Sequence, residues 1–312
     1  MTGQVFLDGE DIYTTYKVFI TEGGYNGLLT YPPMKQIGHN DWLEEDGIEP
    51  DLSTPKLGSR EFTISFASHI QPNATDFIDK LSDGAYHTFT FMNLNILGRS
   101  YQLRLVSVSN LTLAKNIEVF SLTFADDFPL MNYSYIAPQS NIPKTGYELD
   151  GRDLSEYGIT ITEGTLAEIL KTPSVKKNLL QNYNYLNGAI YDGENVIFQT
   201  KEVKLNCLMR SSSLIEFWRN YDAFLYDLAR PEERMLYVEN TDKTYPCYYK
   251  SCNVIKFAPV GKIWLQFQLT LLFISFRTGE IDYLLAAEDD NLIITENGMY
   301  YIDMKKIWQL KK

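Results

Sequence analysis

The chain has 312 residues, room for two domains of ordinary size, and its 45% apolar share places it among globular proteins. A formal charge of −12 excludes DNA wrapping and attachment to anionic membranes, both of which need a basic face. Aromatic residues make up 14%, with 22 Tyr and 17 Phe, a composition that favours strands and interfaces.

The opening Met1-Thr2-Gly3-Gln4-Val5 has no basic segment followed by an apolar run, so no secretory signal is expected. Leu7-Asp8-Gly9-Glu10-Asp11 predicts a turn leading into the β-branched run Val18-Phe19-Ile20. An irregular stretch with Pro32-Pro33 follows, then an acidic run holding Asp41, Glu44, Glu45, Asp46, Glu49 and Asp51. That run lacks the ligand spacing of a calcium loop, and the plain expectation is a solvated hairpin tip. Phe62, Ile64 and Phe66 alternate with Glu61, Thr63 and Ser65, which marks a strand with one buried face. Asn73 is placed to cap a short helix whose stripe is Phe77, Ile78 and Leu81 and which Gly84 ends. Strands are expected at Phe89–Met92, Tyr101–Val108 and Ile117–Phe124, with a turn at Asn95-Ile96-Leu97-Gly98.

From Asp126 to Tyr147 the periodicity fades among Pro129, Pro138, Pro143 and Gly146, which predicts a linker or crossing strand over 129–146. Then the chain repeats itself. Leu149-Asp150-Gly151-Arg152-Asp153 restates the opening 142 positions later, and Thr162-Glu163-Gly164 restates Thr21-Glu22-Gly23 at 141. Lys201-Glu202-Val203 answers Arg60-Glu61-Phe62 at 141, and Leu269-Thr270 answers Leu122-Thr123 at 147. Solenoid units run about 20–50 residues, so this period indicates a duplicated domain, with copies over 1–128 and 147–282.

The second copy repeats the order of elements: Ile159-Thr160-Ile161, a proline at Pro173, then Val203, Leu205 and Cys207 alternating with polar residues. Leu214, Phe217, Trp218, Tyr221, Phe224, Leu225 and Leu228 form a helical stripe, opened by a capping box of Ser213 and Glu216 and closed by Pro231. One helix per copy is therefore expected. Strands follow at Met235–Val238, Tyr245–Ser251 and Ile263–Phe276, with turn chemistry at Asn240-Thr241-Asp242-Lys243. Leu271-Leu272-Phe273-Ile274 is apolar on both faces, so the other copy or a neighbouring subunit should cover its outer side. Beyond 282, Glu296-Asn297-Gly298 between two apolar runs predicts a hairpin, and Lys305, Lys306, Lys311 and Lys312 a basic end, over 283–312.

Chemistry is sparse. Cys207, Cys247 and Cys252 are odd in number and read as free thiols, with no second Cys/His pair to complete a zinc site beside Cys247 and Cys252. His39, His69 and His87 have no nucleophile near them in a recognisable motif. No phosphate loop occurs, and the longest apolar stretch is too short to span a bilayer. Asn73-Ala74-Thr75, Asn110-Leu111-Thr112 and Asn132-Tyr133-Ser134 match glycosylation acceptors but have no signal peptide to give them use. No catalytic, cofactor-binding or metal residues are assigned, and no enzyme activity is expected.

Leu149-Asp150-Gly151-Arg152-Asp153-Leu154-Ser155-Glu156-Tyr157-Gly158 resembles the start of siphophage distal tail (Dit) proteins. The stretch from Trp42 to Gly47, then Asp51-Leu52-Ser53-Thr54-Pro55-Lys56 and Arg60 to Phe66, resembles the loop and strand that follow in that family. The resemblance covers most of 5–128 and recurs more weakly over 147–277. It implies a mainly β (α+β) fold of two tandem tail-tube-like β-sandwich or barrel domains, each with one flanking helix. It further implies a structural virion tail protein, assembled in the host cytoplasm into a trimeric pseudo-hexameric or hexameric ring. The implied partners are further copies of the chain and tail-tube, hub or baseplate proteins, with DNA passing through unbound and no membrane insertion. Two tube-like units in one chain depart from the family's usual single unit and resemble the hubs of contractile tails. The alternative is a carbohydrate- or surface-binding module of a tail tip, with Trp42, Tyr183 and Tyr185 stacking on sugars.

Overall fold

Alternating residues at 61–66 and 203–207 seed the longest strand pairings of the protein, one in each half. The computed structural model describes residues 2–43, 45–69, 73–92, 98–114, 117–177, 180, 182–190, 196–259 and 261–275. The expected hairpin and basic end over 283–312 lie outside the described residues, as do 95–97 of the expected turn. Met1–Phe276 makes up one compact unit.

The first half runs β1 (Val5–Leu7), β2 (Glu10–Asp11), α1 (Ile12–Tyr16), β3 (Val18–Ile20), a 3₁₀ turn Asn26–Leu29, the small hairpin β4 (His39–Asn40) and β5 (Glu49–Pro50), β6 (Arg60–His69), α2 (Asn73–Leu81), β7 (His87–Phe91), β8 (Arg99–Ala114) and β9 (Ile117–Asp126). The second runs β10 (Tyr147–Leu149), β11 (Arg152–Asp153), a 3₁₀ turn Leu154–Tyr157, β12 (Ile159–Ile161), α3 (Thr165–Leu170), β13 (Lys201–Ser211), α4 (Leu214–Leu228), β14 (Arg234–Val238), a 3₁₀ turn Glu239–Thr241, β15 (Lys243–Ala258) and β16 (Ile263–Phe273).

Two seven-stranded antiparallel sheets result, ordered β2-β1-β7-β8-β9-β6-β3 and β11-β10-β14-β15-β16-β13-β12. The order is the same in both. So is the register: Val18 faces Ser68 as Ile159 faces Met209, and Arg60 faces Asp126 as Lys201 faces Phe273. The first irregularity corresponds too, because the extra residue Val106 between Leu105 and Ser107 matches Lys250 between Tyr249 and Ser251. Such bulges bend the long strands, whose first residues pair with β7 or β14 and whose remainder pairs with β9 or β16.

As expected, the protein is mainly β, two antiparallel β-rich units, with α2 and α4 the expected helices. α1 and α3 are additional short helices, too brief for a periodic stripe to announce them. One apolar cluster runs through both halves. Tyr31, from the irregular proline stretch of the first half, sits 4.4 Å from Tyr221 and 6.2 Å from both Phe224 and Phe267 of the second. Just past the doubly apolar end of β16 the first half makes contact, the Ile48 amide donating to the Ile274 carbonyl.

Candidate functional site

The repeated motifs are structural clasps. In the opening element the first aspartate takes a left-handed turn position and accepts the second amide of the strand beside it in the sheet: Asp8 from Thr88 at 2.9 Å, Asp150 from Met235 at 2.8 Å. The second aspartate caps the helical turn behind it. Asp11 accepts from Tyr13 and Thr14, and Asp153 from Ser155 and from Thr145 of the preceding chain. Thr21 and Thr162 tie their amides and hydroxyls to the carbonyls of Ser65 and Asn206. Arg60 donates to the carbonyls of Leu28 and Thr30, while Lys201 donates to those of Ile169 and Lys171 at matching positions. A cation there neutralises the exposed carbonyls at a helical C-terminus.

The first clasp differs in one respect. Arg234 pairs with Asp150 at 2.7 Å, but its counterpart is His87, held between Asp8 at 2.7 Å and Asp83 at 3.1 Å. Burial opposes ionisation of Asp8, yet hydrogen bonds from His87 and Thr88 and the nearby Lys80 together keep its carboxyl below the usual range.

The halves meet along a seam of reciprocal bonds. The Tyr31 hydroxyl donates to the Tyr221 carbonyl at 2.9 Å, and the Tyr221 hydroxyl returns a bond to the Leu29 carbonyl at 2.8 Å. The Tyr249 hydroxyl donates to the Pro32 carbonyl, and the Met34 amide to the carbonyl of the bulge residue Lys250. Burial drives the phenols of Tyr31, Tyr221 and Tyr249 well above their ordinary pKa, so all three stay neutral donors.

The acidic run forms the expected hairpin tip, with Asp41, Glu45, Glu49 and Asp51 exposed, and its backbone is in addition a latch. The Lys176 ammonium is buried among the carbonyls of Trp42, Glu45 and Gly47 at 2.8, 2.8 and 2.5 Å, with the Asp41 carboxylate at 2.6 Å. Asp46 accepts the Phe198 amide, whose carbonyl accepts from Gly47. Gly47 has φ +75°, and a Cβ there would lie 1.6 Å from the Ile274 carbonyl oxygen, so only glycine fits. Glu44 lies outside the described residues. Trp42 and Tyr185 are exposed, Tyr183 lies 5.2 Å from Tyr185, and the Trp42 indole donates to Glu49.

A cavity of about 490 Å³ opens where the halves join, lined by Arg60, Arg99, Tyr101, Asp126, Tyr221 and Asp222 among others. Its charges are engaged with one another: Arg60 with Asp126 at 2.6 Å, and Arg99 with Asp222 at 2.8 Å while its guanidinium lies 4.5 Å from the Trp218 ring centre. Among the described residues that line it there is no nucleophile with an adjacent base. Among the described residues no group of three His, Cys, Asp or Glu side chains is arranged to hold a metal ion. Cys207, Cys247 and Cys252 are free and buried, and burial pushes the Cys252 thiol up to about 12. His39 is exposed, and His69 packs 5.0 Å from Phe19. No described helix is long and apolar enough to cross a membrane.

At the rim of a second groove, hydrogen bonds from Arg104 and Ser59, helped by Tyr86 and opposed by burial, lower the Asp127 carboxyl from 3.8 to about 2. A lowered carboxyl stabilises the fold fully above its unfolded value and loses that contribution as pH falls through the folded one. The unfolding midpoint should therefore drop between pH 4 and 2, and Asp127→Asn should flatten that limb of a denaturation series.

No protein-family model and no curated protein matches the chain. Among solved structures, it is similar to the Dit protein of phage SPP1, described as a paradigm of the hub adsorption apparatus in phages infecting Gram-positive hosts. The identity is 11% and the TM-score 0.29, over 86% of this chain and 98% of the other.

Proposed function

We propose that the chain is a structural subunit of a phage or prophage tail, of the distal-tail or hub kind, working without turnover. Its domains, 1–128 and 147–282, descend from one duplicated unit joined by 129–146. The observation that carries this reading is the common strand order, register and first bulge of the two sheets, clasped by the same residue types at 141 to 147 positions' separation. The resemblance of the Leu-Asp-Gly-x-Asp openings to distal tail proteins points the same way. A chain with two like units can close a ring by repeating one head-to-tail contact, and closure shields sheet edges from random pairing. In this reading three or six chains encircle the DNA conduit between tail tube and baseplate in the virion, after assembly in the host cytoplasm. The net charge of −12 suits a wall along which DNA slides without sticking. Light scattering should return three or six times the chain mass of 36.0 kDa. A stable monomer at micromolar concentration would overturn the ring.

A further inference from the structure

Contacts that the first half makes on the second have counterparts that the chain leaves open. The segment around Leu29 and Met34 covers the second sheet, where the Tyr31 amide reaches the Cys252 sulfur and leaves Cys252 only 8% exposed. The corresponding residue of the first sheet, 144 positions earlier, is Val108, and it is 47% exposed. The bulge residue Lys250, whose carbonyl takes the Met34 amide, corresponds to Val106, which is 41% exposed. On the other side, Leu29 and Met34 correspond at 141 positions to Leu170 and Val175, exposed by 55% and 44%. Both partners of one interface are thus present twice and joined once.

The latch repeats the pattern. In the loop, the Glu45 amide bonds the Trp42 carbonyl and Gly47 has positive φ; 141 positions on, the Leu186 amide bonds the Tyr183 carbonyl and Gly188 has φ +90°. The two loops share their turn, but a Cβ on Gly47 collides with Ile274 while one on Gly188 meets nothing within 4 Å. The receptor residues Lys176, Phe198 and Ile274 correspond to Lys35, Leu57 and Asp127. All three of those line a single groove of about 450 Å³, and Lys35 is exposed with no ion pair among the described residues. Three of the four acceptors around Lys176 are backbone carbonyls, so a loop of any side chains with that turn can cage a lysine.

We infer that the occupant is a second copy of this chain: residues 182–188 of one chain close around Lys35 of the next, and Leu170 and Val175 cover its Val106 and Val108. This rests on the ring reading above and specifies its joint, a head-to-tail contact that repeats between chains the seam found within one. The between-chain latch, Asn182 to Gly188, carries no charge, whereas the within-chain latch holds Asp41, Glu45 and Asp46.

The test uses two full-length variants, Lys35→Asp, which spoils the receptor, and Gly188→Val, which spoils the loop. Lys35 is exposed, so Lys35→Asp should keep the wild-type urea midpoint, whereas Gly188→Val, at φ +90° in an exposed loop, should lower it modestly while the variant stays folded. In sedimentation velocity each alone should be monomeric where wild type is assembled, with association weakened by ~tenfold or more. Mixed in equal amounts, they should form dimers and stop there, because the mixture has only one sound joint per pair. If wild type assembles and both variants assemble equally well, or if their mixture stays monomeric, the joint is wrong while the ring survives. A wild type that never assembles overturns both.

Discussion

Tyr31→Ala should cost about 3–5 kcal/mol of stability in urea denaturation, the range for truncating a buried aromatic ring. The expected loss falls on the whole unit, because the ring belongs to the first half by sequence and to the second by packing. Far-ultraviolet dichroism, which follows both sheets, and the fluorescence of Trp218 and Trp264 of the second half, read in a background with Trp42 and Trp308 replaced by Phe, should move together to a lower midpoint. Tyr31→Phe keeps the ring and removes only the bond to the Tyr221 carbonyl, so it should cost about 1 kcal/mol. Two separate transitions, with the first-half one untouched by Tyr31→Ala, would falsify a shared core.

The second large effect is at Lys176. Replacing it with Met leaves three carbonyls facing an apolar side chain in a closed site, and removing one partner of a buried charge network costs about 3–5 kcal/mol. Asp41→Asn removes the one carboxylate that pairs with Lys176 among the described residues, but that carboxylate is more than half exposed and water can replace it. Its cost should stay below about 1 kcal/mol. Limited proteolysis gives an independent reading, with cleavage near Trp42 expected in Lys176→Met and not in Asp41→Asn. Equal destabilisation by the two changes would mean that the latch is a salt bridge rather than a carbonyl cage.

What the sequence discloses follows from how each feature is encoded. β6 and β13 were legible because burial on one face writes itself as alternation, and α4 because its stripe and the Ser213–Glu216 cap are side-chain features. The Ser213 hydroxyl does accept the Glu216 amide, and Glu216 reaches back to the Ser212 amide. α1 and α3, of five and six residues, leave no periodicity, and their caps look like turn residues. The second aspartate of each opening, read as part of a turn, proves to be such a cap. The latch was illegible for a deeper reason. Its acceptors are carbonyls of Trp42, Glu45 and Gly47, and a carbonyl is common to all residues, so the acidic side chains drew attention away from the groups that bind. The one readable trace was Gly47, matched by Gly188 at the repeat spacing. Tyr31 was equally hidden, an aromatic in a proline stretch whose partners lie some 190 residues away.

All three thiols lie in the second half, Cys207 on β13 and Cys247 and Cys252 on β15, and burial holds each of them in its protonated form. An alkylating reagent consumes thiolate, so it stays idle while that sheet is shut and begins to react when it parts. The chain thereby contains two clocks: labelling of Cys207 and Cys247 times the opening of the carboxyl-terminal sheet, while Cys252, under the Tyr31 segment, also registers the amino-terminal half lifting away.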